Sequence, residues 1–221
     1  MTFSRQAPDS LPGTLPVFPL SGALLLPRGQ LPLNIFEPRY LSMVDDALAG
    51  DRLIGMVQPH ATGAETADDA APVYEIGCAG RITTFSETGD ERYMITLSGI
   101  SRFRISRELD LVNGYRLVES DFSPFIGDLG DEVESTPGRD DLLHAVRPYF
   151  EKNGMAADWS ELEELPDAAL VTALSMVSPF DPPEKQALLE CGGLSERCDL
   201  LVSLMRMAAH DPDSAHETIR H

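Results

Sequence analysis

Leu15-Pro-Val-Phe-Pro-Leu-Ser-Gly-Ala-Leu-Leu-Leu-Pro-Arg-Gly-Gln-Leu-Pro-Leu-Asn-Ile-Phe-Glu-Pro-Arg-Tyr40 is a series of short apolar runs broken by proline and glycine. Leu15 to Leu20, Ala23 to Leu26 and Leu31 to Phe36 are each too short for a helix and bounded by turn formers, which predicts strands or extended edge segments. Pro16, Pro19, Pro27 and Pro32 offer no backbone donor, so these runs belong at edges or on the side of a ladder where no donor is needed. Pro38 then stands where a helix accepts proline, in its first turn, and Gly50 where a helix can end. Tyr40, Leu41, Val44, Ala47 and Leu48 share one face at helical spacing, which predicts an amphipathic helix from Pro38 to Ala49 lying on the strands.

Working outward, strand patterns dominate as far as Phe122. Leu53 to Val57 and Val73 to Phe85 are apolar runs of strand type, separated by a polar stretch, His60 to Ala71, that reads as a mobile surface loop. The turn Thr88-Gly-Asp-Glu91 leads into Arg92 to Leu97, where Tyr93, Ile95 and Leu97 alternate with Arg92, Met94 and Thr96, and predicts a hairpin. Arg102 to Arg107 and Tyr115 to Phe122 are read as further strands.

The composition changes at Ser123. From there to Asp141 the chain is rich in Asp, Glu, Gly and Pro and reads as an acidic linker too polar to pack, expected to be the least ordered internal stretch. Helical periods follow over Asp140 to Phe150, Asp167 to Val177, Pro182 to Glu190 and Leu194 to Ala208. Asp181, Pro182 and Glu184 form a capping box with Asp in the cap position. The expected organisation is an arm over 1–13, a β-rich subdomain over 14–122, a linker over 123–139, a helical subdomain over 140–209 and a polar tail over 210–221. The fold class is α+β.

A chain of 221 residues can bury on the order of 25,000 Å² relative to its extended form, ample for a core. Its formal charge of −19, from 36 acidic and 17 basic residues, repels polyphosphate backbones and makes nucleic acid a poor partner. Basic, unfolded or amphipathic polypeptide is drawn to such a field, although a solvated acidic face also serves solubility alone. The cysteines, Cys78, Cys191 and Cys198, are odd in number and form no C-x-x-C, which fits a reducing compartment. No signal-peptide run opens the chain and no apolar stretch approaches membrane-spanning length. The expectation is a cytoplasmic protein with no membrane partner.

Motifs for catalysis are missing. Lys152 and Lys185 are the two lysines, each follows a glutamate, and neither sits in the G-K-[ST] of a phosphate-binding loop. A peptidase lysine must lose its proton to act as a base, and an adjacent acid works against that. His60, His144, His210, His216 and His221 make no zincin pair, and the tail set reads as solvated rather than metal-binding. Asp45-Asp46 and the other adjacent acid pairs point apart on a helix and read as solvated. Cys191 and Cys198, seven apart, suit helix packing better than redox or metal chemistry. No catalytic residue, metal or cofactor is expected.

The opening segment resembles the signature of the Lon N-terminal domain, the substrate-recognition domain of ATP-dependent Lon proteases, in the order and spacing of Phe-Pro-Leu, Leu-Pro-Leu and Ile-Phe-Glu-Pro-Arg-Tyr. Ile76 to Ile82, with Gly80 and Arg81, Arg92 to Gly99, Arg102-Phe-Arg-Ile105 with Phe103, and Pro182 to Glu190 extend it over about Leu15 to Met207. The resemblance implies a PUA-like β-barrel followed by a helical bundle, used to capture unfolded or tagged polypeptide. Protease or chaperone components are further candidate partners. The ATPase and peptidase domains of Lon have no counterpart in these 221 residues, so a free-standing Lon-domain protein is expected, with no proteolysis carried over. Asn34 stands where the family often has histidine.

Two readings of function follow: a non-catalytic polypeptide-binding module, an adaptor in protein quality control, and a small-ligand domain of PUA-like type. Leu24, Leu26, Leu33, Phe36 and Tyr40 are the expected peptide-binding residues, exposed beside the proline-broken edges, although apolar runs are as readily core. Glu37, Pro38 and Arg39 form a strand-to-helix corner suited to an ion pair or a cap. With Gly80, Arg81, Gly99, Arg102 and Phe103 they are expected to be structural.

Overall fold

The computed structural model describes residues 11–60, 71–130, 136 and 138–210. Six strands, β1 (Thr14–Pro19), β2 (Gln30–Ile35), β3 (Leu53–Val57), β4 (Ile76–Thr88), β5 (Arg92–Glu108) and β6 (Arg116–Asp121), form one sheet. Its order is β2-β5-β4-β3-β1-β6, and β5 also pairs with β6. That extra pairing closes β1, β3, β4, β5 and β6 into a barrel and leaves β2 as an added strand on the first half of β5. β1 and β3 run parallel, whereas β5 is antiparallel to each of its neighbours.

The barrel has a small core of its own, to which every one of its strands contributes: Leu15, Val17, Leu53, Val57, Ala79, Phe103 and Val118. The Phe103 ring fills the lumen. A Cβ at Gly55 would stand 2.7 Å from that ring and one at Gly77 2.8 Å, so these glycines make the space the ring occupies. A larger core lies outside the barrel wall and runs without a break from Phe18, Met43 and Leu97 to Leu142, Leu188 and Met205.

β5 is one strand of 17 residues where the sequence predicts two. Gly80 pairs with Gly99 and Ala79 with Ser101, so Ile100 is an extra residue and the strand carries a bulge. The bulge exchanges the two faces: Ile95 and Leu97 belong to the outer core, Phe103 to the lumen. Alternation read across Gly99 therefore looks broken in sequence while the ladder continues.

Leu24–Leu26, predicted as a strand or edge segment, forms no strand. It is a buried strap. Gln58 holds it from beneath, accepting from Gly22 N at 3.0 Å and donating to Ala23 O at 2.7 Å. Leu25 packs on Gly80, and the Leu26 carbonyl crosses over Gly99. Arg28 N donates to Gly99 O and Gly99 N to Gly29 O, both at 2.8 Å.

The helices are α1 (Pro38–Ala49), α2 (Arg139–Lys152), α3 (Trp159–Glu164), α4 (Asp167–Val177), α5 (Pro182–Glu190) and α6 (Leu194–His210). α1 has the predicted bounds and starts on Pro38. α5 carries the predicted capping box, with Asp181 N donating to Glu184 Oε2 at 2.9 Å. α3 has no counterpart in the sequence reading because six residues give no period; its signal is the cap Asp158, which accepts from Ser160 N and Glu161 N. Ser123–Leu129, expected to be too polar to pack, forms short 3-10 turns anchored by Asp128. Residues 131–135 and 137 of that linker, 61–70 of the predicted loop, 1–10 of the arm and 211–221 of the tail lie outside the described residues.

Gly99 is the tightest of these approaches, since its Cβ would meet the Leu26 carbonyl oxygen at 2.0 Å. Gly99→Ala is expected to lower unfolding stability by about 3 kcal/mol, the upper part of the usual range for overpacking. Gly13→Ala, with nothing within 4 Å of its Cβ, is expected to stay within about 0.5 kcal/mol of the parent. Urea unfolding of the two variants checks both.

Candidate functional site

Two arginines meet at the end of α5, Arg102 tying it to the barrel and Arg197 tying it to α6. Arg102, 6% exposed, donates from Nε and Nη2 to the Asp128 carboxylate at 2.9 and 2.8 Å, and its backbone N–H reaches the same carboxylate at 2.9 Å. Its Nη1 donates to Leu189 O at 3.2 Å and Cys191 O at 2.6 Å, and its guanidinium lies over the Phe125 ring. Arg197 Nε donates to Leu188 O at 2.8 Å. Helix α5 has no basic residue in its last turn; these two arginines, from β5 and α6, supply the cations that its terminal carbonyls favour. Burial opposes the charge on Arg102, but the Asp128 carboxylate outweighs it and holds the pKa above its ordinary value. Burial, then the neighbouring Arg102, pulls Arg197 below its own.

The same helix grips the barrel through its first turns. Lys185 Nζ donates to Gly22 O at 2.6 Å and Met176 O at 3.3 Å, and Gln186 Nε2 donates to Ile76 O at 3.1 Å. Glu184, expected to act on the Lys185 amine, instead turns back to cap its own helix, and burial lowers the Lys185 pKa. Both hydrogen-bond partners of this amine are carbonyl oxygens. Lys152 likewise donates to a carbonyl, Ala208 O, at 2.6 Å.

The expected peptide-binding residues divide sharply. Leu24, Leu26, Leu33 and Tyr40 are buried, which corrects their placement on an exposed groove; Phe36 is 61% exposed. The first two belong to the strap, Leu33 faces the outer core beside Ile35, and the Tyr40 ring packs on Phe18 at 4.2 Å. A strand over a core buries every second residue, so Leu33 and Ile35 go in while Pro32, Asn34 and Phe36 face out. Arg39 pairs with Glu37, Nε to Oε2 at 3.0 Å, which is the ion-pair use of that corner, and Pro38 starts the helix. Arg81 donates to Asp51 O at 2.9 Å.

Phe36 does not stand alone. Met94, opposite Asn34, is also exposed and occupies the same outer face. The Arg92 guanidinium stands 5.8 Å from the Phe36 ring and pairs with Asp90 at 3.0 Å. On the opposite face of the tip Phe85, across from Ile95, is also exposed and meets Tyr93 edge-on at 5.0 Å. The tip of the β2–β5–β4 sheet therefore exposes apolar side chains on both faces, Phe36 with Met94 on one and Phe85 on the other. Sequence reading missed Met94, Phe85 and Asp128: alternation placed Met94 among polar neighbours, and Asp128 was hidden in an acidic run.

Asp46, expected to be merely solvated, accepts from Tyr115 OH and Asn113 Nδ2, both at 2.9 Å. Beside that bond a cleft of about 140 Å³ is lined by Pro12, Thr14, Asp46, Asp51 and Tyr115. It falls below the roughly 300–1,000 Å³ of small-molecule sites. Among the described residues, no group of three His, Cys, Asp or Glu is placed to hold a metal ion. Cys78, Cys191 and Cys198 are buried free thiols whose pKa values burial pushes up, as packing residues rather than nucleophiles.

Residues 14–207 match the family of the ATP-dependent protease La (LON) substrate-binding domain. The chain belongs to this Lon substrate-binding family. Lon protease 2 of Myxococcus xanthus is 28% identical over 211 residues, covering 89% of this chain and 24% of that protein. Lon protease 2 of Thermus thermophilus is 29% identical over 208 residues, 88% of this chain and 24% of that protein. The chain thus spans about a quarter of the length of these curated relatives. Two solved structures share the fold: a Lon N-terminal domain protein from Xanthomonas campestris (TM-score 0.60, 23% identity, 86% of this chain and 97% of that one) and the N-terminal domain of Mycobacterium avium complex Lon protease (TM-score 0.62, 16% identity, 87% and 98%).

Arg102→Met would leave Asp128 with the backbone N–H alone and two helix-terminal carbonyls without their donor. It is expected to cost about 3–5 kcal/mol, the usual loss when one partner of a buried pair is removed, read as a shift of the urea midpoint. Burial first and the Asp46 carboxylate second push the Tyr115 pKa from 10.0 up to about 12. The folded chain therefore binds more protons than the unfolded one across that window, so stability present below pH 10 is lost as pH rises through about 12. Ultraviolet titration of the tyrosinate band is expected to show this late phenol, and Asp46→Asn is expected to bring its titration to lower pH.

Proposed function

We propose that this chain is a polypeptide-recognition module with no catalytic machinery of its own, an adaptor in cytoplasmic protein quality control that engages non-native segments. The observation that carries the reading is the apolar pair Phe36 and Met94, exposed on one face of the β2–β5–β4 sheet tip, on a domain of the Lon substrate-binding family. An apolar surface rimmed by charge is the usual mark of a protein-binding site. Membership is in a binding domain rather than an ATPase or peptidase domain, which supports the non-catalytic part, as does the engagement of both lysine amines with backbone carbonyls. The three free cysteines fit a reducing compartment. The small-ligand alternative gains nothing from the cleft beside Tyr115.

The test is fluorescence anisotropy with reduced, alkylated lysozyme, a basic chain that cannot refold, as the probe. Binding is expected in the range of tens of micromolar, the weak end of useful recognition, and to tighten at low salt. Phe36→Asp is expected to weaken it about tenfold, equivalent to about 1.4 kcal/mol. Met207→Asp, at an exposed apolar residue of α6, is expected to change nothing. Equal binding by Phe36→Asp and the parent would remove the sheet tip from the proposal.

A further inference from the structure

Beyond the closed barrel the sheet has two free margins among the described residues, β2 and residues 84–88 of β4, which pair with β5 alone; the β2 margin is the one that carries Phe36 at its end. β2 pairs with β5 and with no other strand. The bond from Gly99 N to Gly29 O fixes which of its residues face inward. In an antiparallel ladder bonded pairs alternate with unbonded ones. From Gly29 opposite Gly99, the register makes Leu31, Leu33 and Ile35 the residues whose N–H and C=O meet β5. Gln30, Pro32 and Asn34 turn their backbone groups away from the sheet. Pro32 accordingly sits where its missing donor costs the ladder nothing. The other outward groups, Gln30 and Asn34 N–H and three carbonyls, are those a further strand would meet. Among the described residues no helix covers the outer face of this strand, where Pro32, Asn34 and Phe36 are all exposed.

We propose that this margin takes an extended segment of a client polypeptide as a seventh strand, with apolar side chains on every second residue and Lys or Arg between or beside them. The proposal rests on the polypeptide-binding reading above and names its mode: main-chain pairing supplies affinity, and alternate side chains supply selectivity. Apolar residues of the added strand would lie beside Phe36 and Pro32 on one face and half-buried Leu31 on the other. Charge selects the occupant. Arg92 and Arg39, the cations beside Phe36 and at the corner after β2, are each held by a carboxylate, Asp90 and Glu37, and Glu87 and Glu91 add negative charge at the tip. A chain of net charge −19 attracts a basic segment and repels a second copy of itself, so pairing of two β2 margins is disfavoured.

The experiment uses the full chain and a synthetic peptide on the order of ten residues, long enough to cover one strand, alternating valine and threonine with lysine at each end. Two further versions carry N-methyl groups on alternate backbone amides, one on each set. Pairing to β2 predicts that methylating one set weakens binding at least tenfold while methylating the other has little effect. It also predicts that Asn34→Pro, which deletes an outward donor not used by the fold, weakens the unmethylated peptide to a similar extent with circular dichroism unchanged. If both methylated peptides bind like the parent, or folded Asn34→Pro binds equally, strand addition is overturned, while continued capture of alkylated lysozyme leaves the broader reading intact. A dimer by light scattering that Asn34→Pro dissolves and the peptide leaves untouched would assign the margin to self-association and also overturn it. The broader reading fails when neither peptide nor lysozyme binds.

Discussion

The arrangement depends on the guanidinium of Arg102, carried into the seam where β5, the 3-10 turns and the end of α5 meet. A buried charge is costly unless every donor finds a partner. Here Asp128 takes the bonds of one side and two helix-terminal carbonyls take the other. Each bond is directional and the fork is planar, so the helix end can occupy only a narrow range of positions over the barrel. Arg197 caps the adjacent carbonyl from the opposite element. Helix α5 thus ends on Cys191 with no left-handed glycine after it, because its neighbours complete it. Its start is tied with equal economy, by Lys185 to the strap at Gly22 and by Gln186 to β4.

With the helical half fixed in this way, the sheet is covered unevenly. The barrel core is sealed by Phe103, and the outer core is sealed by the strap, α1 and the helices. The tip of β2, β4 and β5 projects beyond that cover. The same strand, β5, is a barrel stave at one end and the middle of an open three-stranded sheet at the other. Exposure of Phe36 and Met94 therefore follows from the face they occupy: their neighbours Ile35 and Ile95 turn to the covered side and are buried, while these two turn to the uncovered one.

Local chemistry made much of this legible in the sequence. Pro38 and the stripe from Tyr40 to Ala47 gave α1, Asp181 with Glu184 gave the start of α5, and the match to a known family gave the barrel and the helices behind it. Leu24–Leu26 misled because three consecutive buried leucines suit a strand and a strap equally; the deciding contact, Leu26 over Gly99, joins positions far apart in the chain. Asp128 misled for the opposite reason. It opens a stretch rich in Asp, Glu and Gly, and nothing local shows that this one carboxylate meets Arg102. In the candidate surface, Phe36 was legible and Leu24, Leu26, Leu33 and Tyr40 were not, because hydrophobicity alone does not say which side of a strand is covered. Met94 became visible only once its partner, Asn34, was known.

The length of β5 has a consequence for how the molecule is made. β1 closes on β6, with Thr14 opposite Glu119, and β2 gains its partner only when Tyr93 to Ser98 exist. During synthesis, which runs from the N-terminus, β2 therefore leaves the ribosome with no strand to join, and β1 can meet only β3 before the rest of the barrel exists. Neither is enclosed by a sheet on both sides until most of the barrel sequence has emerged. Proline at Pro16, Pro19 and Pro32 withholds donors throughout that interval, when unpaired apolar strands are most prone to join one another. The residues that shape the finished edge also protect the nascent chain before any edge has formed.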